Sequence, residues 1–458
     1  MSNATTAACP IKVKKLVEDK EIMKEATDLL TDLIRIRTEN PPGNETSAAQ
    51  LLYSFLSKEG FEPEIMESSE SRGNIITSLS GSGGKSLMLL SHLDVVPVTP
   101  RGWSVDPFSG VVKDGFVWGR GAQDCKDLAA MEALAMTLLK RDGFKPKGKL
   151  IFAATADEEM GGKAGAGWLV ENHPDKVRVE MLINEGGGYA FPIKGRNHYV
   201  VQVAEKGVYW MRLRTKGTPG HASMPGIGDN ALLKMSSIVD KLGKYRPPIN
   251  VLDVARDFIS TIVGGGLSAR LLTTPALADL LLDRAKKSGQ AESEIIRAML
   301  RMTIAPTMIK AGVKENIIPD ECEAVVDCRL LPGQASTYLK EQFKNALGSL
   351  EGLEMEPITE SPGTISPHDT RLFHVIEELS TKTDPNSRCV PFMVPAATDS
   401  RYFRQKFGTV AYGFVPTRMD LPLDIFMKLA HGLDERISQD NLLYGTKFLV
   451  NLVREIMG

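Results

Sequence analysis

The spacing of apolar residues changes along the chain, and each change predicts a different kind of element. Over residues 21–58 apolar positions recur every three or four residues, interrupted by Asn40-Pro41-Pro42-Gly43, which predicts two helices joined by a loop. Short apolar runs follow that end in polar or acidic residues, a pattern typical of strands buried on both faces of a sheet. These runs cover residues 86–91, 150–154 and 181–184.

A helix is predicted between the first two of these strands. Residues 127–141 are rich in Ala, Leu and Met, and Gly143 provides a helix stop. Strands that alternate with helices indicate an α/β fold with a mostly parallel sheet, whose ligands gather outside the carboxyl ends of the strands. Candidate catalytic residues are therefore expected in the polar segments that follow the strands.

The pattern differs in the second half of the chain. Residues 199–203 and 209–213 alternate like half-buried strands, and helices are predicted over 230–242 and 336–347, with further strands over 323–329 and 353–358. Two helices on one antiparallel sheet form an α+β (ferredoxin-like) unit, and the α/β pattern returns after it. We predict a catalytic domain in two parts, 1–199 and 364–458, with an inserted lid and dimerisation domain at 200–363. Residues 247–306 are helix-prone and are interpreted as an elaboration of the insert.

The composition and charge of the chain indicate which kinds of partner and which cellular location to expect. The 458 residues carry 55 basic and 57 acidic side chains without long blocks of one sign, which argues against a nucleic-acid or membrane partner and favours a small-molecule substrate. No run approaches the ~20 apolar residues of a membrane span, and the start does not resemble a signal peptide. Five cysteines, Cys9 among them, contain no CxxC pair and are predicted to be reduced. A cytoplasmic protein is expected.

The first candidate for chemistry is Ser91-His92-Leu93-Asp94 at the end of a predicted strand. His92 and Asp94 point to the same side of such a strand, so the aspartate can orient the imidazole as a metal ligand. The alternative is a structural histidine. Asp124, in a glycine-bearing loop just before the predicted helix, is either the helix N-cap or a carboxylate that bridges two metal ions.

Asp157-Glu158-Glu159 follows the second apolar strand. Burying adjacent carboxylates is costly unless a positive charge compensates them, so a metal site is one interpretation and a solvated acidic turn is the other. Neighbouring side chains point in different directions, so one glutamate can bind metal while the other accepts a proton from an activated water. Glu185 after the third strand and the distant His431 complete a set of nitrogen and oxygen donors that suits zinc, with cobalt or manganese as substitutes.

In this order, these motifs resemble the M20 family of metallopeptidases and amidohydrolases, the group of acetylornithine deacetylase, succinyl-diaminopimelate desuccinylase, aminoacylase-1, glutamate carboxypeptidase and cytosolic dipeptidases. The resemblance covers nearly the whole chain. It rests on Ser91-His92-Leu93-Asp94-Val95-Val96-Pro97, residues 103–108 and 119–126, Asp157-Glu158-Glu159, Asn184-Glu185-Gly186, Gly220-His221-Ala222-Ser223, Glu315-Asn316-Ile317-Ile318-Pro319 and His431-Gly432.

The resemblance implies a role for each residue. His92 and Glu185 are expected to hold one zinc ion, Glu159 and His431 the other, and Asp124 to bridge them. Asp94 is expected to orient His92, and Glu158 to act as general base and then as proton donor.

The family pattern also implies residues that contact the substrate. His221 is expected to stabilise the oxyanion from the lid, often across a dimer. Asn316 and Arg329 resemble lid residues that hold substrate, and Arg401 stands where the family places a carboxylate contact. Structural roles are the alternatives for three of these residues: a turn histidine for His221, and a surface ion pair for each of the two arginines.

The predicted function is therefore zinc-dependent hydrolysis of the amide bond in N-acyl amino acids or small peptides, by a deacylase or a carboxypeptidase-like enzyme that forms a homodimer through the lid. A dipeptidase or aminopeptidase of the same family, and a hydrolase of an unusual amide, are the alternatives. A non-catalytic binding protein would be expected to lack one of these ligands or the base, and in this sequence each of these positions carries the expected residue.

Two features depart from the family pattern: Cys125 directly after Asp124, and the length of the 247–306 segment.

Overall fold

The structure is a computed structural model that describes residues 18–99, 101–193, 195–287 and 292–458. The start of the predicted catalytic domain, residues 1–17 with Cys9, lies outside the described residues. Two compact units are found. Unit 1 takes in the described residues up to Val203 together with Ser366–Pro391 and Thr398–Gly458, and unit 2 takes in Ala204–Ile365 and Phe392–Ala397.

The α-helices of the described ranges are α1 (Asp19–Arg35), α2 (Glu45–Lys58), α3 (Lys126–Arg141), α4 (Ala166–Asn172), α5 (Pro174–Val177), α6 (Ala231–Lys244), α7 (Asp253–Val263), α8 (Gly266–Thr273), α9 (Pro275–Lys287), α10 (Glu292–Leu300), α11 (Ser336–Leu347), α12 (Arg371–Thr383), α13 (Ser400–Phe407), α14 (Leu423–Phe426) and α15 (Gln439–Met457). A 3₁₀ turn covers Glu158–Met160. None of the described helices is both long and apolar enough to span a bilayer.

The strands of the described ranges are β1 (Glu64–Glu67), β2 (Gly73–Ser80), β3 (Leu87–His92), β4 (Val111–Lys113), β5 (Phe116–Trp118), β6 (Lys149–Thr155), β7 (Met181–Asn184), β8 (Ala190–Ile193), β9 (Arg196–Glu205), β10 (Gly207–Lys216), β11 (Gly220–His221), β12 (Thr303–Ala311), β13 (Ile317–Ile318), β14 (Glu321–Leu330), β15 (Leu353–Ser361), β16 (Thr364–Ile365), β17 (Ser387–Val394), β18 (Val410–Gly413) and β19 (Arg436–Ser438).

The sheet of unit 1 is parallel at its centre. Its strands follow the order β1-β2-β6-β3-β7-β18-β9, and the neighbours β6, β3, β7 and β18 run in the same direction. Every residue of β3 and β7 is buried, because helices such as α3 cover the sheet and leave no solvated face. This arrangement confirms the predicted α/β class and brings the carboxyl ends of β3, β6 and β7 to one edge.

Helix α3 shows how the sequence produces this packing. Its residues from Lys126 to Leu139 are all buried, where α3 contacts α1, α15 and β3. Its small alanine side chains allow neighbouring elements to approach closely. The predicted stop is also confirmed, because Gly143 takes the left-handed φ of 67° and its N–H donates to the carbonyl of Lys140 at 2.9 Å.

Unit 2 contains an antiparallel sheet in the order β12-β14-β10-β15. One face packs against α6 and α11 in a core that includes Met235, Leu339 and Phe343. Asn230 caps α6, since its side chain accepts hydrogen bonds from the N–H groups of Leu232 and Leu233. The predicted antiparallel sheet with two helices is therefore present, and the helix-prone segment contains α7 to α10.

One strand differs from the sequence interpretation. The run at residues 199–203, expected to be half-buried in the inserted unit, is part of β9, which pairs with β18 and β8 in the sheet of unit 1. Residues 198–205 of β9 are all buried. The alternation of Val with Gln202 misled the interpretation, because this glutamine is itself buried. The fourth strand of the unit 2 sheet is instead β12, which begins within the elaboration.

The core of unit 2 provides a stability test. Phe343→Ala removes a fully buried ring and should destabilise unit 2 by about 3–5 kcal/mol through lost burial and the remaining cavity. Hydrogen exchange of the β14 amides measures this loss, with Leu280→Ala as control because Leu280 is 52% exposed. Equal protection in the two variants would contradict this assignment of the core.

Candidate metal centre and active site

The candidate ligands meet where neighbouring parallel strands of unit 1 end. His92 is the last residue of β3, Glu159 lies in the turn after β6, and Glu185 directly follows β7. Parallel strands in register end at the same edge, so residues far apart in sequence come together there. Asp124 and His431 reach this edge from loops.

The first group of donor atoms comes from His92, Asp124 and Glu185. The Nε2 atom of His92 lies 3.1 Å from Oδ1 of Asp124 and 3.6 Å from Oε2 of Glu185. The sulfur of Cys125 joins this group, with all of its donor atoms within 4.8 Å of one another. His92 is almost completely buried and its Nδ1 donates to the main-chain carbonyl of Asp94 at 3.0 Å. This hydrogen bond leaves Nε2 available as a ligand.

The second group comes from Asp124, Glu159 and His431. Nε2 of His431 lies 3.1 Å from Oδ2 of Asp124 and 3.2 Å from Oε2 of Glu159. The two oxygens of Asp124 therefore face two different histidines, which is the geometry that a bridging carboxylate requires. The alternative role of Asp124 as helix cap is wrong, because the N-cap of α3 is Cys125.

Asp94 holds both a histidine and the acidic turn. Its carboxylate accepts the main-chain N–H groups of Glu158 at 3.0 Å and Glu159 at 3.1 Å, and it lies 3.5 Å from Nδ1 of His92. The amide of Asn40 donates to the same carboxylate at 2.8 Å. Asp94 is fully buried, so these contacts fix the direction in which Glu158 and Glu159 leave the backbone.

A protein-family model described as "Peptidase family M20/M25/M40" matches residues 88–455 of this chain, which include every residue of both donor groups. The chain belongs to this family. It is thus a hydrolase of the metallopeptidase and amidohydrolase class, as the sequence motifs predicted.

Relatives with curated descriptions agree with this membership. The N-fatty-acyl-amino acid synthase/hydrolase PM20D1 of Xenopus tropicalis is 27% identical over 94% of this chain and 86% of its own length. Aminoacylase-1 of Homo sapiens is 27% identical over 93% of each chain. Among solved structures, the M20 family metallo-carboxypeptidase Sso-CP2 of Sulfolobus solfataricus has a TM-score of 0.75 at 18% identity, covering 94% of this chain and 99% of its own.

The electrostatics of this M20/M25/M40 peptidase fit divalent cations at the two donor groups. Burial raises the pKa of the carboxyl groups of Glu158, Glu159 and Glu185. The hydrogen bonds of His431 to Asp124 and Glu159 raise the pKa of its imidazole to about 10. Acidic groups that face one another in a buried site need positive charge nearby, and a set of imidazole and carboxylate donors suits zinc and similar ions.

Three predicted substrate residues lie in unit 2. His221 pairs with Ile317 between β11 and β13, and its Nδ1 lies 2.7 Å from Oγ of Ser223. The main-chain carbonyl of Asn316 accepts the N–H of Ala222.

Arg329 forms two hydrogen bonds to Asp327, at 2.7 and 2.9 Å. The ion pair given as its alternative is therefore present, and its contact with substrate stays a prediction.

Arg401 lies in unit 1 and is buried, not at the surface. Its guanidinium donates to the main-chain carbonyls of Thr398 at 3.1 Å and Gly161 at 2.6 Å. Because Gly161 closes the turn that carries Glu158, Arg401 supports that turn directly. Whether it also contacts a substrate carboxylate stays a prediction.

The sequence motifs missed a polar network behind the acidic turn. The amide of Asn40 donates to Asp157 at 3.2 Å as well as to Asp94, and Arg72 donates to Asn40 at 3.0 Å and to Asp157 at 2.6 Å. Asp157 has a left-handed φ of 71°, a conformation that aspartate tolerates better than most residues. The Asn40-Pro41-Pro42-Gly43 loop was the available signal, and it was interpreted only as a break between helices.

Asp399 was also missed, although it lies only two positions before Arg401. It is buried, it accepts a hydrogen bond from Oγ1 of Thr155 at 2.9 Å, and burial raises its pKa to about 7.

Glu435 is a further residue near the site that the sequence motifs missed. It binds the loop that carries Asp124, and no local motif distinguished it from a surface glutamate after His431.

Asn40 provides a test of the network. Asn40→Ala leaves the carboxylates of Asp94 and Asp157 without their shared donor, so the turn with Glu158 loses its fixed position. We expect kcat to fall by about 10–100-fold, as for other partners of metal-site residues, with a smaller change in KM. Steady-state kinetics measures this, and Asn172→Ala is the control because Asn172 lies exposed on α4. Unchanged kcat in Asn40→Ala would show that the network does not position the turn.

Proposed function

We propose that this peptidase is a dinuclear zinc amidohydrolase that cleaves N-acyl amino acids or small peptides. The observation that carries the proposal is the Asp124 carboxylate, which lies within 3.1 Å of the Nε2 atoms of both His92 and His431. Glu158 belongs to neither donor group, so its carboxyl group is available for proton transfer. The solved YXEP protein of Bacillus subtilis, described as a dinuclear metal-binding peptidase of the M20 family, has a TM-score of 0.58 to this chain.

The proposed roles divide the site into two subsites. The first subsite consists of His92, Asp124 and Glu185, and the second consists of Asp124, Glu159 and His431. When bound, two zinc ions supply Lewis-acid chemistry: they polarise the scissile carbonyl and make water more acidic.

Glu158 is the proposed proton carrier. Burial, and next the negative charge of Glu185, raise the pKa of the Glu158 carboxyl group, which brings this group toward the range where a carboxylate both accepts and returns a proton near neutral pH. Glu158 would take a proton from the attacking water and deliver it to the nitrogen of the leaving amine. The hydrogen bond from its main-chain N–H to Asp94 holds it in place for both steps.

The substrate class follows from the relatives and from the arginines. PM20D1 is named for N-fatty-acyl-amino acids, and such substrates carry a free carboxylate that a guanidinium group binds well. Arg329 and Arg401 are the proposed carboxylate contacts, Asn316 a further substrate contact, and His221 the proposed oxyanion donor. Carboxypeptidase-like cleavage is the second candidate, because Sso-CP2 is named as a carboxypeptidase.

The remaining predictions concern the organisation of the protein. We propose that unit 1 is the catalytic domain, that unit 2 is a lid and dimerisation domain, and that the enzyme works as a cytoplasmic homodimer.

Strand β12, the proposed dimer surface, is an outer strand of the unit 2 sheet. Met308 and Ile309 on this strand are 67% and 50% exposed, whereas the other outer strand, β15, carries several glutamates. An exposed outer strand with apolar side chains is suited to pairing with a second copy.

Replacement of the proposed base tests the function. Glu158→Gln keeps the shape of the side chain but cannot carry the proton, so turnover should fall by about 10²–10⁴-fold while bound zinc is retained. Hydrolysis of N-acetyl amino acids, long-chain N-acyl amino acids and dipeptides is measured alongside zinc content. Glu171→Gln, on the exposed side of α4, is the control. Comparable turnover in Glu158→Gln and the wild type would exclude this role.

Charge on strand β12 tests the dimer. Met308→Asp with Ile309→Asp would bury like charges between two copies, so a protein that is dimeric in the wild type should become monomeric. Light scattering coupled to gel filtration gives the mass, and Ile425→Asp in unit 1 is the control because Ile425 is also a partly exposed isoleucine. A dimer that survives the double substitution would place the interface elsewhere.

A further inference from the structure

A buried glutamate near the end of the chain organises the loop that carries Asp124. Oε1 of Glu435 accepts the main-chain N–H groups of Gly121 at 3.1 Å, Gln123 at 2.8 Å and Asp124 at 3.2 Å. Successive N–H groups that converge on one oxygen form an anion-binding concavity. Glu435 is fully buried, so the position of the Asp124 backbone depends on this carboxylate.

Arg120 extends the contact to His431. Its Nη1 lies 2.5 Å from Oε2 of Glu435, and its Nη2 donates to the main-chain carbonyl of His431 at 3.2 Å. The guanidinium also lies 5.4 Å from the ring centroid of Trp103, which limits its movement. Arg120 and Glu435 thus connect the loop of Asp124 with the loop of His431.

His431 needs such an anchor more than His92 does. His92 ends a buried strand, whereas His431 lies in a loop with a φ of 60° and a side chain that is 55% exposed. Two donors of the second subsite, Asp124 and His431, are held by the Arg120–Glu435 pair. In the first subsite, only Asp124 is held in this way.

We propose that Glu435 and Arg120 are positioning residues that determine whether the second subsite binds its metal ion. Without them the loops of Asp124 and His431 move independently, and the second subsite loses affinity while the first is largely kept. The inference rests on the proposed dinuclear function, since it requires two ions, but it concerns two residues that belong to neither donor group.

Zinc binding to chelator-stripped enzyme tests the inference without measuring activity. Titration calorimetry gives the number of ions and their affinities for the wild type and for Glu435→Gln, which keeps the side-chain size but removes the charge. The affinity of one of the two ions should fall about 10–100-fold, the usual effect of losing a partner of a metal ligand. The affinity of the other ion should change little. Glu132→Gln is the matched control, because Glu132 is an equally buried carboxyl group on α3 that accepts no hydrogen bond from this loop.

Single-subsite enzymes show which ion is affected. His92→Ala leaves only the second subsite intact, and His431→Ala leaves only the first. Adding Glu435→Gln should weaken zinc binding strongly in the His92→Ala enzyme and little in the His431→Ala enzyme. The cobalt absorption spectrum of each protein provides an independent signal of coordination.

The outcomes separate this inference from the proposed function. A wild type that binds fewer than two ions contradicts the dinuclear function and, with it, the inference. A wild type with two ions whose affinities both fall equally in Glu435→Gln, or do not change, overturns the inference alone. Should Glu435→Gln fail to fold by circular dichroism, Arg120→Met, which removes the contact to His431 and keeps the Glu435 concavity, must show the same selective loss.

Discussion

The burial of several carboxylates at one sheet edge is the constraint around which unit 1 is arranged. Glu159 and Glu185 lie there because parallel strands in register end together, and a loop brings Asp124 to the same edge. Removing carboxylates from water is costly unless hydrogen bonds or positive charges replace the lost hydration. Main-chain N–H groups and the amide of Asn40 compensate the neighbouring Asp94, and in our proposal two cations compensate Asp124, Glu159 and Glu185.

Two buried carboxylates, Asp94 and Glu435, each accept main-chain N–H groups from a segment that carries a candidate ligand. Asp94 accepts two consecutive N–H groups of the acidic turn, and Glu435 accepts three from the loop of Asp124. Each also reaches toward a candidate histidine ligand, directly in the case of Asp94 and through Arg120 in the case of Glu435. The candidate ligands are therefore positioned by carboxylates, so a substitution at Asp94 or Glu435 would also shift the candidate ligands.

Sequence patterns predicted the parts of this protein that depend on local order. The strands ending at His92 and before Glu185 were found because buried strands are continuous apolar runs. The role of Asp124 was open between a cap and a bridge, since only the fold brings His431 to it across 307 positions of sequence. Asn40, Arg72 and Glu435 were missed for the same reason. Strand β9 was placed in the wrong sheet because a buried glutamine resembles a solvated one in the sequence.

The order of segments in unit 1 has a consequence for how the protein is made. Strand β18, which pairs with β7, and helix α15, which packs on α3, are synthesised after all of unit 2. A nascent chain can complete most of unit 2 early, because that unit is nearly continuous. The acidic sheet edge of unit 1, in contrast, lacks His431 and Glu435 until translation is almost finished. Truncation before His431 would thus remove a candidate basic ligand and leave the acidic candidates without it.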